Sequence, residues 1–109
     1  MKKFCLALDL IDDPELIAEY EKYHQNVWPE IKQSILNSGI TNMEIYRVQN
    51  RLFMIVEADE NFSFEAKNEA DKNNPKVQEW EELMWKFQQQ LPNSKPYEKW
   101  QLMDKIFSL

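Results

Sequence analysis

An α+β fold with an antiparallel sheet is predicted by three features of this sequence. Apolar residues alternate near both ends of the chain, and two more alternating stretches meet at a short polar turn in the middle. Helical periodicity with capping residues fills the segments between. At 109 residues the chain makes one domain, 1–109, whose single core removes roughly 60–70% of the unfolded surface from water. Hydrophobic residues are 43% of the chain and aromatics 13%, against a charged fraction of 29%, a balance that excludes disorder.

Phe4, Leu6, Leu8 and Leu10 alternate with Lys3, Cys5, Ala7 and Asp9, which predicts a first strand from Lys2 or Lys3 to about Leu10. The two lysines ahead of this run give it a superficial likeness to a secretion signal. Acidic residues follow at once and no small-residue cleavage site appears, so it reads as a strand. Asp13 is placed as a helix cap, with Pro14 at the first helical position and Glu15 beside the positive end of the helix dipole. Leu16, Ile17, Tyr20, His24, Val27, Trp28, Ile31 and Ile35 continue at helical spacing to the stop at Asn37-Ser38-Gly39. Pro29 interrupts this pattern, so a kinked helix or two consecutive helices are expected, with the break around residues 25–28. Gly39, the only glycine, predicts a left-handed position at the helix end.

Two strands, Ile40 to Gln49 and Leu52 to Asp59, are expected to form a hairpin through Gln49-Asn50-Arg51. Ser63 opens a short helix to about Asp71. Asn74 and Pro75 start a stronger one through Gln90 or Leu91, with Val77, Trp80, Leu83, Met84 and Phe87 on one stripe. After a polar loop from Pro92 to Pro96, alternation from Trp100 to Phe107 predicts a fourth strand. The order β-α-β-β-α-β is the split-βαβ, ferredoxin-like arrangement, with the helices on one face of the sheet. Both faces carry apolar residues, Leu52, Met54 and Val56 against Phe53 and Ile55 in the third strand and Trp100, Leu102 and Ile106 against Met103 and Phe107 in the fourth. Two small helices cannot cover both, which predicts a homodimer packed sheet to sheet.

The formal charge is −6, from 19 acidic and 13 basic residues without a Lys/Arg cluster, which argues against a nucleic-acid partner. No apolar run approaches the ~20 residues of a membrane span. Cys5 is alone, so no intrachain disulfide forms and a reducing, cytoplasmic setting is expected. A single histidine and a single cysteine build no Cys/His metal set, and one glycine builds no Gly-rich phosphate loop. With no Ser/His/Asp-type set to argue, what remains is acid–base chemistry without a cofactor.

Tyr20, His24 and Trp28 are four residues apart, which on a continuous helix puts them in one row facing the sheet. A histidine there is either a neutral core residue or a proton-transfer group, and the space opened by Pro29 favours the second. Aromatic walls with a few hydrogen-bonding groups suit a small polyhydroxylated ring, a sugar. Trp80, Trp85 and Trp100 either complete such a pocket or belong to the core.

The motif Tyr-x-x-x-His-x-x-x-Trp-Pro-Glu from Tyr20 to Glu30 resembles that of the L-rhamnose mutarotase family. The likeness runs over nearly the whole chain: Gly39-x-x-Asn42 into Ile45-Tyr46, the Leu52 to Glu57 strand, Asn74-Pro75 with Gln78-x-Trp80-x-x-x-Met84, and the closing Ile106-Phe107-x-Leu109. The segments M-E-I-Y, R-L-F-M-I and V-Q-E-W-E-x-L-M-W resemble L-fucose mutarotases as well. The resemblance implies a dimeric ferredoxin-like α+β barrel that interconverts the α and β anomers of a 6-deoxy-L-sugar, with no metal or cofactor. It makes His24 the catalytic residue, Tyr20 the sugar-binding tyrosine of the helix and Trp80 the first of two sugar-contacting tryptophans; His24 as acid–base group and Tyr20 as its hydrogen-bonding and orienting partner are the expected catalytic pair. Met43 stands where the family has a second sugar-contacting tyrosine, and Glu81 where it has the second tryptophan. Met43, Glu81 and Asn42, with Trp28 and Trp80 as walls, are therefore the expected substrate-binding residues. Glu57 and Glu81 are candidates for a second proton carrier. Two other readings share this architecture: a cofactor-independent monooxygenase or haem-degrading dimer, against which Trp28-Pro29-Glu30 argues, and a non-catalytic ligand-binding module.

Overall fold

Capping side chains start three of the four helices. In the computed structural model, which describes all residues from Met1 to Leu109, α1 runs over Pro14–Tyr23 and α2 over Pro29–Asn37. Farther along, α3 spans Phe64–Lys72 and α4 spans Pro75–Trp85. The Asp13 carboxylate accepts from the amides of Glu15 and Leu16 at 2.9 and 3.1 Å, and Ser63 and Asn74 do the same for α3 and α4. The Trp28 side chain makes no cap for α2, which begins at Pro29 with its φ already set for a helix.

Five strands form one antiparallel sheet: β1 (Lys2–Leu10), β2 (Ile40–Val48), β3 (Arg51–Ala58), β4 (Gln88–Gln89) and β5 (Gln101–Leu102). The order β2-β3-β1-β4, with β5 also on β1, is the ferredoxin-like order. Leu6 faces Met54 and Leu8 faces Leu52 across β1 and β3, so even-numbered residues of both strands share one face. All the core lies there. Leu10 and Leu52 pack with Tyr20, Ile31, Trp80 and Phe87 at one end, and Leu6 and Val56 with Ile40 and Phe62 at the other. Leu8 and Leu10 have no exposed surface, and each such leucine contributes roughly 1.5–3 kcal/mol.

The helical stretch around Pro29 is two helices, and α1 ends just ahead of the expected break. Gln49 takes the positive φ of the hairpin turn, at 52°. Two expectations need correction. The last helix stops at Trp85 instead of Gln90 or Leu91: Gln88 and Gln89 turn to pair with Leu10 and Asp9, where an open edge of β1 offers hydrogen bonds the helix would leave unused. The fourth strand, expected from Trp100 to Phe107, shrinks to Gln101–Leu102, opposite Ala7 and Leu6, followed by one more bond from the Met103 amide to the Cys5 carbonyl. Beyond it the alternation has no partner strand, and Ile106 and Phe107 are 94% and 76% exposed.

Candidate active site

The site is built at the point where α1 stops. Its last residue is Tyr23, and the backbone amide of His24 turns to the Glu21 carbonyl at 3.1 Å, leaving the Tyr20 carbonyl without its usual helical donor. The His24 ring takes that place, its Nδ1 lying 2.8 Å from the Tyr20 oxygen. A carbonyl only accepts, so the proton sits on Nδ1 and Nε2 keeps the lone pair. Burial lowers the His24 pKa from its ordinary value, partly offset by this bond to the Tyr20 carbonyl.

Tyr20 stacks beside the histidine, with ring centroids 4.4 Å apart and planes tilted by 36°. Its side chain is buried, and the Gln88 amide donates to its hydroxyl at 3.3 Å. Burial pushes the phenol up to about 12, against the smaller opposing pull of Gln88, so it stays protonated at neutral pH. Trp80 closes the third side, its ring 5.7 Å from that of His24 and edge-on.

These rings line a cavity of about 840 Å³ between the helices and the inner face of the sheet. That size is within the range of small-molecule pockets, roughly 300–1,000 Å³. Met43 and Glu81 line it too, so five of the seven site residues expected from sequence share one space: Tyr20, His24, Met43, Trp80 and Glu81. Burial raises the Glu81 carboxyl above its ordinary value, reinforced by the charge of Asp71 and opposed by Lys99 and Lys67.

Trp28 and Asn42 are placed elsewhere. The four-residue spacing keeps a row only while the helix lasts, and α1 ends before Trp28. Trp28 instead stands behind Trp80, edge to face at 5.0 Å, with Lys76 over its own ring, and Val27 reaches the cavity. Asn42 precedes the inward-facing Met43, and adjacent strand residues point to opposite faces. It lies on the outer face and donates to Glu57 at 3.2 Å, which also takes Glu57 away from the cavity as a proton carrier. Trp100 lines the cavity; Trp85, more than a third exposed, does not.

The sequence reading missed the polar side chains that α3 and its neighbours bring to the same space. Lys67 reaches Asp71 at 2.6 Å, and the hydroxyl of Ser34 donates to Asp71 at 3.3 Å. One signal was available. The stripe Phe64, Lys67, Asn68, Asp71 has helical spacing and is polar where a core-facing stripe is apolar.

A family model described as L-rhamnose mutarotase matches residues 3–109. An L-fucose mutarotase from Xanthomonas campestris pv. campestris is 44% identical over 111 residues, covering 100% of this chain and 89% of that protein. Among solved structures, an L-rhamnose mutarotase from Formosa agariphila superposes with a TM-score of 0.72 at 20% identity, covering 100% of this chain and 99% of the other. A dimeric ferredoxin-like protein from an uncultured marine organism gives 0.55 at 17% identity, covering 98% and 90%. At these identities the two structures establish the shared fold alone.

Proposed function

Because this chain belongs to the L-rhamnose mutarotase family of carbohydrate isomerases, we propose that it interconverts the α and β anomers of L-fucose or L-rhamnose, with His24 as the acid–base group. The observation that carries this reading is the bond from His24 Nδ1 to the Tyr20 carbonyl, which leaves Nε2 basic on a side chain that lines the cavity. Neutral imidazole takes the proton of the anomeric hydroxyl. The freed electron pair forms the C1=O double bond, the bond from C1 to the ring oxygen breaks, and the imidazolium returns a proton to that oxygen. Rotation about C1–C2 presents the other face of the aldehyde, and the same transfers in reverse close the ring. No proton is consumed overall, and both oxygens are bonded to C1 in the closed ring, within reach of one imidazole. Tyr20 orients the sugar and Trp80 supplies an apolar wall for its C–H faces.

Saturation-transfer NMR of L-fucose and L-rhamnose tests this directly. Anomer exchange faster than the spontaneous rate, lost in His24→Ala, is the expected result. Exchange at the spontaneous rate with both sugars refutes it.

A homodimer belongs to the same proposal. Phe53 and Ile55 sit on the helix-free face of the sheet beside the exposed Tyr46 and Val48, and the tail after β5 leaves Ile106 and Phe107 uncovered. A second copy of this face covers that surface. Light scattering should give twice the 13.2 kDa chain mass, and Ile55→Lys should return the single mass; a wild-type monomer at micromolar concentration overturns it. No helix is long and apolar enough to cross a membrane, and Cys5 is a free thiol. A cytoplasmic location is proposed with them, and recovery of the tagged chain outside the cytosolic fraction would contradict it.

A further inference from the structure

Resting on the mutarotase reading, we propose that Lys67, Asn68 and Asp71 of α3, with Glu81 of α4, form the subsite that reads the sugar's ring hydroxyls remote from the anomeric carbon. Four residues of α3 face the cavity, Phe64, Lys67, Asn68 and Asp71, at the i, i+3, i+4, i+7 spacing of one helix face. Three of the four are polar. A helix that only closed a core would bury apolar side chains along this stripe, as α4 does with Val77, Trp80 and Met84.

The ion pair in this stripe is held away from bulk water. The side chains of Lys67 and Asp71 keep 17% and 11% of their exposure. Two charges withdrawn to this extent lose much of their hydration, so their mutual attraction alone is a weak reason for keeping them there. Their unused hydrogen-bonding capacity points to a ligand. Lys67 gives one of its three N–H groups to Asp71, while the Asn68 amide and the Glu81 carboxylate have no hydrogen-bond partner in the chain. Both residues line the cavity, Asn68 exposed and Glu81 half-buried, so their polar groups are within reach of a ligand entering from solvent.

Their position fits a pyranose with its anomeric carbon at His24. Trp80 contacts the His24 ring on one side and is followed on the α4 wall by Glu81, so the aromatic and charged ends form one continuous surface. A carboxylate accepting from neighbouring hydroxyls and an ammonium donating to their oxygens distinguish axial from equatorial groups by direction. L-fucose and L-rhamnose differ in configuration at C2, beside the anomeric carbon, and at C4, across the ring from it, so this end of the cavity discriminates between them at C4.

The test uses two variants that leave the Lys67–Asp71 pair intact, Glu81→Gln and Asn68→Ala, with circular dichroism and thermal melting to verify folding. The rate constants for anomer exchange are measured for both sugars by saturation-transfer NMR. Glu81→Gln should lower kcat/KM for the preferred sugar by about tenfold or more, with the loss on KM more than on kcat. The preference between the sugars should narrow in both variants, an effect that a purely structural role for α3 would not produce. A preference within about twofold of wild type in both folded variants overturns the subsite while leaving the mutarotase reading standing. Wild-type enzyme that accelerates neither sugar overturns both.

Discussion

Replacing Tyr20 by phenylalanine separates an orienting group from a proton carrier. The substitution removes one oxygen and keeps the ring, so the packing against His24 at 4.4 Å and Phe87 at 6.2 Å is retained. What is lost is the 3.3 Å bond from the Gln88 amide, a residue only 9% exposed. An orphaned buried donor costs about 1–3 kcal/mol, and because Gln88 lines the cavity, water can replace the hydroxyl and set the cost near 1 kcal/mol. For a chain of this length that lowers the melting midpoint by roughly 4–8 °C. On the catalytic side, a phenol pushed up to about 12 neither gives nor takes a proton readily at pH 7. Its loss should cost one hydrogen bond to the sugar, about 1–2 kcal/mol or roughly 5- to 30-fold in kcat/KM. Removing the acid–base group in His24→Ala should cost about 10²- to 10⁴-fold. Exchange NMR at pH 7 on both variants, alongside thermal melts, compares the two losses. If folded Tyr20→Phe loses as much as His24→Ala, Tyr20 carries a proton and the division of roles is wrong.

The pH profile of kcat/KM should rise through a single midpoint below 6.5, because burial lowers the pKa of the base; a midpoint above 6.5 contradicts the neutral-base assignment. Stability should follow the same group. The unfolded chain binds the His24 proton more readily than the folded one, so this contribution is complete above about pH 6.5 and is lost as pH falls toward the folded pKa. Denaturant melts of wild type and His24→Gln should therefore converge over that window, and parallel curves would refute the linkage. Gly39→Ala forces a side chain onto a φ of +100° and sets its Cβ 2.9 Å from an Asp59 carboxylate oxygen. The cost should be about 2 kcal/mol, seen as a drop of roughly 8–16 °C in the thermal midpoint. A change of less than about 2 °C would show that the loop relaxes freely.

The sequence disclosed those parts of the fold that local chemistry decides. Period-two alternation located β1, β2 and β3, and Asp13, Ser63 and Asn74 marked helix starts that the structure caps with those same side chains. The end of α4 was not legible, because no glycine or proline stands between Trp85 and Leu91 and the competing partner is an edge of β1 distant in sequence. The fourth strand was overread for the complementary reason: Ile106 and Phe107, beyond β5, carry a strand pattern without a strand beside them in this chain. The placement of Tyr20 and His24 side by side was legible because the two are one helical turn apart. Asn42 was expected beside Met43 and lies on the outer face, a placement that parity made readable, since neighbouring residues point to opposite sides of β2.

Pro29 links these placements. The residue before a proline is kept out of the helical region, and Trp28 is extended at φ −55° and ψ 137°. The helix cannot run through Trp28, and α1 ends at Tyr23. Ending there turns the amide of His24 toward Glu21 and frees the Tyr20 carbonyl for the histidine ring. That bond fixes the tautomer and leaves the Nε2 lone pair free, as the proposed base requires. The same break removes Trp28 from the row and sets it behind Trp80, where it holds the wall instead of lining it. A continuous helix would have kept all three side chains in line but satisfied the Tyr20 carbonyl with a backbone amide, leaving the tautomer of His24 without this constraint.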